Sequence, residues 1–178
     1  MRYGYGRQIL ATSAALLTTA LLTSAAAGEP QSLSATIDGA AFVSDDGGIT
    51  LVPLGDGPGN FTLVAITAGG SVYPPPKTPL DRLSITCSGL EAGKPLRLDS
   101  KHFGRAECDA TFARGVKPMG GDPDAEYRLD KSSAENLFEI ESAAGRRYTG
   151  HFRLRFLDAS GATHLLGDGR FIAEDRQL

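Results

Sequence analysis

From Ser34 onward, apolar and polar positions alternate with a period of two, the pattern of strands that bury one face. Ser34 to Ile37 leads into Asp38-Gly39 and then Ala40 to Val43. Asp-Gly tolerates the positive φ of a tight turn, so these segments predict a hairpin. Ile49 to Leu54 and Phe61 to Thr67 flank Gly55-Asp56-Gly57-Pro58-Gly59-Asn60 and predict a second. Leu83, Ile85 and Cys87 alternate with Arg82, Ser84 and Thr86, and Cys108, Ala110 and Phe112 with Glu107, Asp109 and Thr111. After a Gly-, Pro- and Asp-rich stretch (115–124), Tyr127 and Leu129, then Phe138 and Ile140, mark two more strands. The clearest segment runs from Tyr148 to Phe156, with Tyr148, Phe152, Leu154 and Phe156 on the core side and His151, Arg153 and Arg155 opposite. Asp158-Ala159-Ser160-Gly161 turns the chain, and Thr163 to Leu166 and Arg170 to Ala173 return it. No apolar 3.6-residue period lasts beyond about two turns, so any helix is short. About nine or ten short strands predict an all-β domain, an antiparallel β-sandwich or closed barrel. Three consecutive prolines in Tyr73-Pro74-Pro75-Pro76-Lys77-Thr78-Pro79 cannot donate to a ladder, and predict an extended connector from one sheet to the other.

The N-terminus has a different pattern. Arg2 and Arg7 precede an apolar run from Ile9 to Leu22, followed by Ala25-Ala26-Ala27. That order of charged, apolar and small residues predicts a secretory signal peptide over 1–27, with a single β domain over 28–178. As a helix the apolar run would span about 21 Å against about 30 Å of bilayer hydrocarbon, so no membrane insertion is expected once the signal is removed. Cleavage after Ala27 takes 27 of the 178 residues and leaves 151. An exported chain, periplasmic or extracellular, meets oxidising conditions. Its two cysteines, Cys87 and Cys108, both alternate onto the apolar side and are therefore expected to form a disulfide joining two core strands.

Composition narrows the chemistry. The 18 Lys+Arg stand against 21 Asp+Glu, and the net charge of −3 becomes −5 once Arg2 and Arg7 leave, so the basic excess that nucleic acid requires is missing. Two Cys and three His are too few for most zinc clusters. No Gly-x-Ser-x-Gly elbow, Walker loop or His-Glu-x-x-His occurs, and Trp is absent, which disfavours hydrolases, phosphate binders and sugar-stacking clefts. The most informative charged feature is the outward row Arg147, Thr149, His151, Arg153 and Arg155, spaced at about 6.8 Å along one strand. It reads either as a solvated face paired with Glu139 and Glu141 or as a surface that meets an acidic protein partner. Asp122, Asp124 and Glu126 have the spacing of the first three ligands of a calcium loop, but Tyr127 stands where its glycine belongs and Ser133 where its bidentate glutamate belongs. Turn chemistry accounts for these carboxylates without Ca²⁺, and no cofactor is otherwise expected.

Three pieces of the sequence form a frame: Ala35-Thr36-Ile37-Asp38-Gly39-Ala40-Ala41-Phe42, Thr149-Gly150-His151-Phe152 and Gly167-Asp168-Gly169-Arg170-Phe171. This frame resembles that of small exported bacterial β-sandwich proteins of unknown function. The resemblance implies an antiparallel sandwich and assigns no catalytic residue. The Cys pair, the triple proline and the long middle loop fall outside it. Three functions remain in view: a non-enzymatic exported protein binding another protein, of inhibitor or immunity type; a sandwich or barrel holding a small apolar or carbohydrate ligand; and an enzyme with a non-standard site. A deep cavity favours the second, and a filled core with a charged surface favours the first.

Overall fold

The computed structural model describes Met1 and residues 29–53, 59–69, 80–105, 107–117 and 121–176. The signal segment, most of the 55–60 loop and the triple-proline stretch lie outside the described residues. Eleven strands form one antiparallel sheet: β1 (Ser32–Ile37), β2 (Ala40–Ser44), β3 (Ile49–Pro53), β4 (Phe61–Ile66), β5 (Leu80–Cys87), β6 (Leu96–Leu98), β7 (Cys108–Val116), β8 (Ala125–Leu129), β9 (Leu137–Ala144), β10 (Arg147–Leu157) and β11 (Thr163–Glu174). Nine of them follow the order β2-β1-β11-β10-β8-β7-β5-β4-β3 and curl into a nearly closed barrel, while β9 and β6 branch off β10. Of the two architectures the alternation allowed, the structure is therefore the barrel. β4 and β5, on either side of the triple proline, are neighbours in this one sheet, so that segment does not join two sheets.

The seam closes where β3 meets the end of β11. Ser32 pairs with Ile172, so residues 174 and 175 run past the start of β1, and Leu51 bridges Asp175 there in parallel. Gln31, only 1% exposed, holds the junction. Its side-chain amide donates to the Asp46 and Ile49 carbonyls at 3.3 and 3.4 Å, and its Oε1 accepts from Glu174 N at 2.7 Å. A buried amide with its partners in place adds specificity to the closure and avoids the penalty of an unmet polar group.

The alternation read from the sequence is the inward set. Phe61, Phe112, Phe138, Phe152 and Phe156 are each at most 2% exposed, and Phe103 joins them from a short helix, α1 (Ser100–Gly104), started by Asp99, whose side chain accepts from Lys101 N. Their rings meet across the interior, Phe42 on Phe112 at 5.2 Å, Phe138 on Phe171 at 5.4 Å and Phe61 on Phe138 at 5.6 Å between centroids. Each buried ring contributes roughly 1.5–3 kcal/mol. Cys87 and Cys108 face each other directly on β5 and β7, with Cα atoms 4.1 Å apart, and are bonded. The disulfide closes the base of the excursion that carries β6 and α1.

Two Gly-x-Phe triplets set the packing of β10 on β11. Gly150 pairs with Phe171 and Phe152 with Gly169, so each glycine lies beneath the opposite ring. A Cβ on Gly169 would stand 2.3 Å from the Phe152 ring, and one on Gly150 would stand 2.0 Å from the Glu139 carbonyl oxygen and 2.8 Å from the Phe171 ring. Thr163 to Leu166 and Arg170 to Ala173, which the sequence pattern separates, are one strand with a bulge: the register shifts between Phe152 and Leu154, and Asp168 sits there at φ 53°.

β10 changes partner along its length. It pairs with β9 from Arg147 to Arg153 and with β8 at Phe156 and Leu157. Asn136, 2% exposed, fills the gap: its Oδ1 accepts from Arg155 N at 2.9 Å and its Nδ2 donates to the Asp130 carbonyl at 2.7 Å. The side chain replaces two ladder bonds where neither strand reaches.

Candidate functional site

The outward row of β10 is where the period-two pattern puts it: Arg147, Thr149, His151, Arg153 and Arg155 all lie on the outer wall of the barrel. Its cations are engaged. Arg147 Nη1 is 2.6 Å from Glu174, His151 Nδ1 is 3.1 Å from Glu141 and its Nε2 3.8 Å from Glu139, and Arg153 is 3.4 Å from Glu135. Arg155 reaches Asp130 at 3.6 Å and Glu135 at 3.8 Å. Glu139 and Glu141, the partners the sequence nominates for this row, pair with its His151 but not with its arginines, and Glu139 also bonds Arg97. The sheet register explains this. His151 is directly opposite Glu139 on β9, and Glu139 is directly opposite Arg97 on β6. Arg153 and Arg155 lie where β9 runs out, and their partners come from the 130–136 connection.

The same transverse row continues the other way into a residue the sequence pattern does not single out. Arg170 on β11 is directly opposite His151, and Ser34 on β1 is directly opposite Arg170. Arg170 is exposed, and no carboxylate among the described residues lies within 4 Å of it. It separates two hollows in the wall. One of about 360 Å³ is lined by Ser32, Ser34, Thr149, Ile172, Glu141 and the backbone side of Gly150 and Phe171; the other, about 410 Å³, by His151, Arg153, Asp168, Leu137 and Glu141. A third of about 230 Å³, with Arg155 and Glu135 at its side, lies further along β10 and β11.

The three histidines all contact carboxylates. His102 lies 2.9 Å from Asp99 at the start of α1, and His151 belongs to the row above. His164 stacks on Tyr127 with ring centroids 4.0 Å apart, places Nδ1 2.7 Å from Asp38, and points Nε2 at Asp158 from 3.5 Å. It thereby braces the Asp38-Gly39 turn against the 158–162 turn. Asp158 is held down to about 2, first by the Ser160 hydroxyl that donates to it at 2.7 Å and further by backbone donors at Ala162 and Ser160. Each arrangement organises a helix start, a sheet row or a pair of turns.

Asp122, Asp124 and Glu126 line one side of an open cleft of about 730 Å³ with Arg128, Leu157 and Asp158. Two of these carboxylates pair with cations of the chain, Asp124 with Lys117 at 3.7 Å and Glu126 with Arg128 at 3.1 Å. Among the described residues no group of three or more His, Cys, Asp or Glu converges on a point that could hold a metal ion. No helix among them is long and apolar enough to cross a membrane. Comparison with protein-family models, curated proteins and solved structures gives no match.

Proposed function

We propose that the protein is an exported, non-enzymatic binding protein whose partner is another protein, of the inhibitor or immunity type. The observation that carries this reading is the filled interior. A barrel that holds a small apolar or carbohydrate ligand keeps a chamber along its axis. Here the rings of Phe42, Phe112, Phe61, Phe138 and Phe171 are buried in one core cluster and contact one another in pairs, and the hollows around Arg170 are lined by the outward residues of the wall. The signal-like N-terminus and the buried disulfide support passage through an oxidising compartment. The outer face of β10 and β11 is rigid, because it is built on the core strands, and its alternating charges give a partner a pattern to match.

The test is zero-length crosslinking of the mature protein in the exported fraction of its own cells, with the Arg153→Glu/Arg155→Glu double variant beside it. A single protein adduct that the double variant loses supports the reading. The two arginines contact their carboxylates at 3.4–3.8 Å from side chains 38–46% exposed, so the double reversal should cost only about 1 kcal/mol of stability. A cost above about 2 kcal/mol would make them struts of the wall rather than contact residues. A small molecule retained at one equivalent in native mass spectrometry would overturn the protein-partner reading.

A further inference from the structure

We propose that the hollow between β1, β11 and β10 is a carboxylate-binding site, with Arg170 as its cation, and that it receives an acidic side chain of the protein partner. The inference rests on the function proposed above. Its basis is a difference between Arg170 and its neighbours: Arg147, His151, Arg153 and Arg155 each have a carboxylate of this chain within 4 Å, whereas Arg170 has none among the described residues. An exposed guanidinium presents a planar fork of donors that fits a carboxylate with two parallel bonds. The hollow beside it adds the hydroxyl-bearing residues Ser32, Ser34 and Thr149, each able to donate to the same anion. Cross-strand pairing fixes their places, Ser34 directly opposite Arg170, and Ser32 and Thr149 both opposite Ile172, two residues on from Arg170 along β11. At about 360 Å³ the hollow is large enough for an acidic side chain with its flanking backbone. Among the described residues Glu141 is the one carboxylate on its rim, and His151 Nδ1 holds it at 3.1 Å.

The neighbouring hollow explains why the occupant is a segment of protein rather than an isolated anion. It is lined by His151, directly across from Arg170, and by Arg153 two residues further along β10, so an extended segment seated at Arg170 can continue along the wall in the strand direction. Asp168, at the tip of the bulge, lies on the far side of this second hollow.

The experiment measures fluorescence anisotropy of labelled hexaglutamate with the mature protein at about 10 mM salt, where charges are felt over about 30 Å. Binding should weaken about tenfold in Arg170→Gln, less in Ser34→Ala and Thr149→Val, and not at all in Arg82→Gln, an exposed arginine on β5. Arg170→Gln should melt with the parent protein, since its side chain has no carboxylate partner among the described residues to lose. Equal affinity in Arg170→Gln, no binding of hexaglutamate, or tighter binding of a thymidine oligonucleotide would each overturn the site. If hexaglutamate fails while the crosslinked adduct persists, the carboxylate site falls and the protein-partner reading stands. If hexaglutamate binds through Arg170 and no adduct forms, the site stands and the partner reading falls.

Discussion

Replacing Gly169 with alanine tests whether the two Gly-x-Phe triplets are a packing device. The added methyl would stand 2.3, 2.5 and 2.6 Å from the Cε2, Cδ2 and Cζ atoms of Phe152, where carbon atoms prefer about 3.5–4.0 Å. Phe152 is 2% exposed with the Phe171 ring 6.4 Å away, so it must retreat by about 1 Å into a filled interior. Overpacking of this kind costs about 1–3 kcal/mol. Gly169 has no positive φ to protect, so without the ring alanine in this strand should stabilise by about 0.5–1 kcal/mol. The three nearest atoms all lie beyond the Cβ of Phe152, so Phe152→Ala removes these three contacts. The change at Gly169 should therefore switch sign, destabilising in the parent protein and neutral or stabilising beside Phe152→Ala, with a coupling energy of about 1.5 kcal/mol or more. Urea melts of the four proteins in the cycle measure it. Gly150→Ala supplies the contrast: its methyl would stand 2.0 Å from the Glu139 carbonyl oxygen, which Phe171→Ala leaves in place, so no rescue should occur there. Additive costs at Gly169 and Phe152 would refute the packing argument.

Asn136→Ala should cost about 2–4 kcal/mol in a urea melt by stranding the Arg155 N–H and the Asp130 carbonyl, and a loss under about 1 kcal/mol would mean water replaces both bonds at no cost. Cys87→Ala should cost about 2–5 kcal/mol, and alkylation of unreduced exported protein should find no free thiol; two free thiols would refute the bond in the native protein. Asp158 is lowered in the fold from 3.8 to about 2, so its contribution to stability is complete above about 3.8 and is lost as pH falls through about 2. Acid unfolding followed by circular dichroism should accordingly begin at higher pH in Ser160→Ala, whose hydroxyl is the main cause of the lowering, and an unshifted acid limb would count against it.

The strands were legible because each buries one face, and a period of two is visible wherever at least four residues alternate. Leu96–Leu98 offers three residues, and α1 offers five with only Phe103 buried, so neither leaves a period to find. The break assumed at Gly167-Asp168 is a bulge, because a two-residue irregularity looks the same in sequence whether the chain turns away or merely kinks. Asn136 was invisible for another reason. Its role depends on β9 and β8 stopping short of one another along β10, which is a property of the register and of no local segment.

The site divides along the same line. A strand read alone shows which side chains share a face, which is how Arg147, His151, Arg153 and Arg155 stand out; it does not show which residue of the next strand lies opposite, so the pairing with Glu139 and Glu141 holds for His151 and not for the arginines, and nothing local marks Arg170. Yet the sequence held a sufficient clue. Gly150-His151-Phe152 and Gly169-Arg170-Phe171 are the same triplet, and in an antiparallel pair a glycine that shelters a ring must lie opposite a phenylalanine. Setting each glycine against the other triplet's phenylalanine forces the two middle residues together, which places Arg170 beside His151. The motif that fixes the packing of the wall on its inner side therefore fixes the charge pattern on its outer side. A change of register between β10 and β11 would undo both together, so the carboxylate site proposed at Arg170 is only as stable as the pairing of Phe152 with Gly169 beneath it.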